Sequence, residues 1–408
     1  MRVLILGVCW LLALGPGAAG AQTPPADATQ EKTRYIIGFK AGTDAASREG
    51  ILKKFDLVDL EEEGLEALNA KVVAARDEKV RPSAFTLMSD PGVYYVEEDF
   101  YAHWLVGEAA SLQQVPVPAV QAVVEGLPKL ERKDATQDEI PWGIARVHAP
   151  DAWGTSQGAG VKVAVVDTGI DCKHPDLAAN CAGGYNAFDS KKEPIDDNNH
   201  GTHVAGTIAA VKDGKGVVGV APQARLYAVK VLDAEGGGRL TTIIKGLVWC
   251  GRNGMQVANM SLGTPSPSFF MHLGIMYAKS KGVAIVAAAG NDKGAVNYPA
   301  AYKETIAVSA MDSNDAIAGF SSRGKQVEFI APGVGVKSTV PGGGYDRYSG
   351  TSMATPHVAG LAVLAVSQGA RGVDGVRGML KAAAKPLTGL KPEEQGAGVV
   401  DAGLLKKK

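Results

Sequence analysis

From residue 138 onward, short apolar runs rich in β-branched residues alternate with stretches of helical spacing. Residues 161–166, 226–231, 257–262, 283–288 and 305–308 each have the length and composition of a buried strand. Strands alternating with helices pair in parallel. Residues 138–408 are therefore expected to form a three-layer α/β/α domain around a mostly parallel central sheet. Upstream, residues 34–39, 72–75 and 93–96 read as strands, and Ile51, Leu52 and Phe55 share one face of a polar helix. These elements predict a small α+β domain with its core at about 33–105. Residues 106–137 show little periodicity and carry Pro116, Pro118, Pro128 and a charged run at 131–134, which is linker composition.

The extreme N-terminus has its own pattern. Arg2, an apolar run over 3–14 and the small residues Ala19-Gly20-Ala21 before Gln22 predict a cleaved export signal over 1–21. The run is shorter than the roughly 20 residues of a membrane span, so a secreted protein is expected, extracellular or periplasmic. With 46% hydrophobic and 21% charged residues, the composition is that of a globular protein. A net charge of −1 gives no standing attraction to nucleic acid or to an acidic membrane. Cys9 lies in the signal. Under oxidising conditions Cys172 and Cys181 are expected to form a small-loop disulfide, while Cys250 follows an apolar stretch and reads as buried.

Three local patterns carry chemistry. Asp167 closes the strand at 161–166, where parallel sheets collect functional groups, although Asp-Thr-Gly also suits a plain turn. His200-Gly201-Thr202-His203 opens a small-residue helix. Two histidines three apart could hold a metal, but no Glu lies between them and no third ligand is nearby, so His203 reads as structural. Ser352 lies in Gly350-Thr351-Ser352-Met353-Ala354-Thr355-Pro356-His357, with a helix expected to begin at or just after it. Such a serine is either a helix cap or a nucleophile supplied with a helix dipole and free N–H groups. His357 reads as packing.

In this order, the three motifs resemble the subtilisin family of serine proteases, and the likeness runs over about 141–402. The resemblance implies Ser352 as nucleophile, His200 as general base, Asp167 as its partner and Asn291, after Ala288-Ala289-Gly290, as oxyanion donor. It implies a substrate lying as a strand between Gly236-Gly237-Gly238, with Leu240 beside them, and Ser261-Leu262-Gly263. Ala288 and Gly290 would also contact the substrate, and Asn297 would sit at the base of the first specificity pocket, restricting very large side chains, with Asp292 on the rim tolerating basic ones. A structural calcium ion would be held by Asp138, Asp176, Asp213 and the carbonyls of Val211, Lys215 and Val217. Residues 22–105 resemble the family's inhibitory propeptide, which assists folding and fills the cleft until cut away. The chain departs from the family in the extra residues at 106–137. No organic cofactor is expected, and a monomer is. Two rival readings stay open: a catalytically dead peptide-binding homologue, and a metal-dependent hydrolase using His200 and His203.

Overall fold

Alternate residues of the central strands feed two separate hydrophobic cores, which is what fixes the layers. The computed structural model describes residues 33–77, 79, 81–105 and 137–405. The expected export signal and all but one residue of the linker lie outside them. In the large domain, strand β6 (Lys162–Asp167) sends Val163 and Val165 to one face and Ala164 and Val166 to the other. The sheet also contains β7 (Cys181–Asn186), β8 (Arg225–Lys230), β10 (Val257–Met260), β11 (Ala284–Ala288), β12 (Thr305–Met311) and β13 (Val327–Pro332). Its order is β13-β12-β11-β10-β6-β8-β7, and every pairing is parallel.

Helices α3 (His200–Ala209), α6 (Thr351–Ser367) and α7 (Gly372–Ala383) cover one face. Helices α4 (Leu240–Arg252) and α5 (Phe269–Ser280) cover the other. This is the expected three-layer α/β/α fold. The strand pattern was legible at β6, β8, β10, β11 and β12. β7, whose sequence CAGGYN is half-exposed, and β13 were not singled out.

Residues 33–105 form the expected α+β unit. Strands β1 (Arg34–Phe39), β2 (Leu57–Asp59), β3 (Ala70–Ala75) and β4 (Val93–Glu98) make an antiparallel sheet of order β2-β3-β1-β4. Helices α1 (Ala45–Lys54) and α2 (Ala84–Met88) pack on one face over Ile37, Phe39 and Val73. The other face, through Ile36 and Val72, joins the same core as α4 and α5. Two carboxylates seal the joint at helix N-termini, where backbone N–H groups lack intrahelical acceptors. Asp99 Oδ1 accepts the Thr241 N–H at 2.8 Å, and Glu97 Oε2 accepts the Phe270 N–H at 3.0 Å. The Glu62 carboxylate adds ion pairs to Lys245 of the large domain and Arg34 of its own unit.

Candidate active site

Two sets of contacts make up the site: the end of β6 meets the N-terminus of α3, and the residue after β10 meets the N-terminus of α6. Asp167 is the last residue of β6 and is fully buried; His200 is the first of α3, and Asp167 Oδ1 lies 2.7 Å from its Nδ1. The Thr168 N–H also donates to Asp167 Oδ1, at 2.8 Å. Burial pushes the Asp167 carboxyl up from its ordinary value, against the pull of the imidazole.

Ser352 is the second residue of α6, so its backbone N–H belongs to the unpaired first turn. The helix starts one residue before the serine and runs straight through Pro356, whereas the sequence suggested a start at or after it. Proline has no N–H to give the carbonyl four residues back. That carbonyl, of Ser352, accepts the Ser261 hydroxyl at 2.8 Å instead. In return the Ser352 hydroxyl donates to the Ser261 carbonyl at 3.0 Å. Asn259 Nδ2 donates to Ser261 Oγ at 2.9 Å and completes the support from β10.

Asn291 follows β11. Its Oδ1 accepts both the N–H and the hydroxyl of Thr351, at 2.8 and 2.9 Å. Because an N–H can only donate, the atom facing it must be the amide oxygen, and this leaves the Nδ2 end for the cavity. Asn291, Ser352, Ala288, Gly290, Leu262, Gly263, Asn297 and Thr351 line that cavity together with Trp104 and Leu105 of the N-terminal unit. Only about 20 Å³ remains in it, room for about one water.

Leu105 and Trp104 arrive on an added strand. β5 (Tyr101–His103) pairs antiparallel with β9 (Gly237–Arg239), Ala102 opposite Gly238 and His103 opposite Gly237. Trp104 then bridges two edges: its N–H donates to the Gly236 carbonyl and its carbonyl accepts the Gly263 N–H, each at 3.0 Å. The Leu240 N–H donates to the Phe100 carbonyl at 2.9 Å. Glycine is needed at Gly238, where a Cβ would lie 2.6 Å from the Val231 carbonyl oxygen. Asn297 Nδ2 donates to Asp292 Oδ2 at 3.1 Å, so an amide held by an exposed carboxylate borders the cavity.

The strand β5 and the residues after it thus lie between two edges of the large domain, next to the cavity that Ser352 and Asn291 line. The model of the subtilase family matches residues 158–398. The chain belongs to that family. It is 42% identical to the M-protease of Shouchella clausii (strain KSM-K16) over 346 residues, 83% of this chain and 82% of that protein. Subtilisin E of Bacillus subtilis (strain 168) is 42% identical over 359 residues, 85% of this chain and 83% of its own. Subtilisin Savinase of Lederbergia lenta reaches 53% over 227 residues, 55% of this chain and 83% of its own. This subtilase is a serine endopeptidase.

The remaining expected residues of the subtilase sort by their surroundings. Cys172 and Cys181 form the expected disulfide, their Cα atoms 5.8 Å apart. Cys250 is buried, and burial pushes its thiol up to about 12, which suits packing and not attack. His203 Nε2 lies 3.0 Å from the Val336 carbonyl and its ring stacks on Tyr348, so that nitrogen is a donor and not a metal ligand. Burial lowers its pKa to about 3. His357 is buried as expected, Nδ1 2.9 Å from the Met353 carbonyl.

At the expected calcium loop, Asp176 is buried and its Oδ2 accepts the Val217 N–H at 2.8 Å and the Tyr345 hydroxyl at 2.9 Å. Burial raises its pKa and the nearby Asp213 adds to the rise, an environment that a hard cation between the two would relieve. Asp138 Oδ1 accepts the N–H groups of Asp213, Gly214 and Lys215 at 3.0, 2.8 and 3.2 Å, so this oxygen braces the loop. Among the described residues no three His, Cys, Asp or Glu side chains gather, so carbonyls such as those of Val211, Lys215 and Val217 must complete any cation shell.

Proposed function

We propose that this subtilase cleaves peptide bonds through Ser352, His200 and Asp167, with Asn291 Nδ2 and the Ser352 N–H holding the oxyanion. The observation that carries this reading is the 2.7 Å contact of His200 Nδ1 with Asp167, and a serine at a helix N-terminus in the cavity that also holds Asn291 supports it. Ser352 is a weak nucleophile until a base takes its proton during attack. Rotation of its hydroxyl from the Ser261 carbonyl toward His200 Nε2 would deliver that proton. The imidazolium, stabilised by Asp167, would return it to the leaving amine. Two preorganised N–H donors would meet the negative charge that develops on the scissile carbonyl oxygen. Substrate would lie where β5 lies, between Gly236–Gly238 and Ser261–Gly263, with an apolar side chain of Leu105 size beside Ala288, Gly290 and Asn297.

On this reading 22–105 is an inhibitory propeptide, its tail seated in the cleft as a product would be, and the chain is a self-processed zymogen exported under the signal at 1–21. Asp176 and Asp213, with the carbonyls of Val211, Lys215 and Val217, would hold a structural calcium ion braced by Asp138. Mass spectrometry of the active chain and of Ser352→Ala tests the proposal. The active chain is expected to lose at least residues 22–105 and Ser352→Ala to keep them. Equal processing of both, or failure of a fluorophosphonate to label Ser352, favours the catalytically dead peptide-binding reading or an external protease.

A further inference from the structure

His200 opens α3, and the first turn of a helix has N–H groups with no intrahelical acceptor. Asn199, at the cap position, offers no side-chain acceptor of its own. Three other residues do the work. Asn198 Oδ1 takes the His200 N–H at 3.2 Å, Thr168 Oγ1 takes the Gly201 N–H at 2.9 Å, and Asp196 Oδ2 takes the Thr202 N–H at 2.9 Å.

Asp196 is the hub of this set. It is 6% exposed, and besides Thr202 N–H it accepts the Thr202 hydroxyl at 2.5 Å. Its Oδ1 accepts the Thr168 hydroxyl at 2.8 Å and the N–H groups of Asn198 and Asn199 at 3.0 and 3.1 Å. Thr168 is the residue after Asp167, and Gly201 is the residue after His200. One hydroxyl, oriented by Asp196, therefore ties the turn behind the acid to the turn behind the base. The approach is close: a Cβ on Gly201 would lie 2.1 Å from the Gly169 carbonyl oxygen.

The loop also stores strain. Asn199 has φ of +108°, a conformation that side-chain-bearing residues rarely adopt and that persists only when surrounding bonds over-determine it. Two of those bonds end on Asp196. Without its carboxylate, the backbone immediately before His200 has both a reason and the freedom to relax.

Several charged groups surround His200 among the described residues. Asp167 touches it, and Asp196 lies close enough to act electrostatically on Asp167. Lys230 and Asp197 neutralise each other at 2.6 Å, Lys230 Nζ also donating to the carbonyls of Thr168 and Leu232. His203, one turn along α3, stays neutral at working pH.

We propose that Asp196 is a positioning residue for the reaction: it clamps His200 against Asp167, and its fixed negative charge favours the imidazolium formed during attack. This rests on His200 being the base.

Asp196→Asn sets an amide NH₂ against the two donors of Thr202, or an amide NH₂ against those of the Oδ1 side. Normalised to sites titrated by a fluorophosphonate, kcat/KM is expected to fall about tenfold or more. Activity rises with pH as His200 loses its proton. Removing a nearby anion destabilises the imidazolium, so the acid limb of the pH profile moves to lower pH. Thr202→Val keeps the charge and removes one donor; kcat is expected to fall while the limb stays in place.

The same shift is read without turnover by nitrogen NMR of the His200 imidazole in the Ser352→Ala chain, with and without Asp196→Asn. A titration midpoint and a per-site kcat both unmoved by Asp196→Asn overturn the proposal. Should Asp196→Asn not fold, an unchanged kcat in Thr202→Val overturns it. Proteolysis that survives Ser352→Ala would instead sink the parent reading, and the NMR comparison tells the two failures apart.

Discussion

Asn291 owes its orientation to Thr351, whose N–H and hydroxyl both point at the amide oxygen. On the proposed reading, Nδ2 held this way would need no reorganisation as charge develops, which is where such donors gain their effect. Asn291→Ala is expected to lower kcat by about 10²- to 10³-fold with little change in KM. Steady-state kinetics on titrated enzyme checks this, and a change confined to KM would contradict it. At this scale Asp167, His200, Ser352 and Asn291 stand out in the sequence as candidates because each sits in its own local motif. Thr351, Thr168, Asn259 and Asp196 were not. Thr351 and Thr168 reach partners far along the chain, 60 residues away at Asn291 and 28 at Asp196, while Asn259 and Asp196 bond near neighbours through contacts that no local pattern marks.

Elements were read best where both faces of a strand are apolar. β10–β12 are buried throughout, β6 at every residue but Lys162, and their apolar runs announce them. β7 is an edge strand containing Gly183 and Gly184, and a half-exposed glycine-bearing strand leaves no such run. α6 begins one residue earlier than expected and continues through Pro356, where the hydroxyl of Ser261, just after β10, serves the carbonyl that proline leaves unpaired.

The loop joining α3 to β8 and the disulfide loop carrying Asp176 face each other at the proposed calcium site. A ligand bound only by the folded state adds about 4 kcal/mol when present at a thousand times its Kd. Chelation is therefore expected to lower the melting temperature of the fluorophosphonate-inhibited enzyme by several degrees, with recovery on adding calcium. Calorimetry that finds the same melting temperature in chelator and in calcium would remove the site.

The two units share a core and are laced by charge. Burial alone would raise the Glu62 carboxyl, yet Lys245 and Arg34 outweigh it and hold the group below its ordinary range. A lowered pKa contributes adhesion above the free value, about 4.3, and that contribution is lost as pH falls through the lowered one. Glu97 works in the opposite sense: burial raises it, so its share favours the joined state at low pH and fades as pH rises through the raised value. Binding of the cleaved N-terminal unit to the large domain is expected to weaken below about pH 4.3, and Glu62→Gln to flatten that dependence. Binding measured across pH decides it, and an unaltered slope in the variant would show that Glu62 is not the cause. The sequence placed both units but not their joint, since which face of a small sheet meets which pair of helices is decided by packing. Within the large domain, the reciprocal Ser261–Ser352 bonds remove the play between α6 and β10. The hydroxyl that would attack and the strand edge that would grip the substrate backbone can then shift only together, as one rigid jaw, so a peptide aligned on that edge is already aligned with the serine.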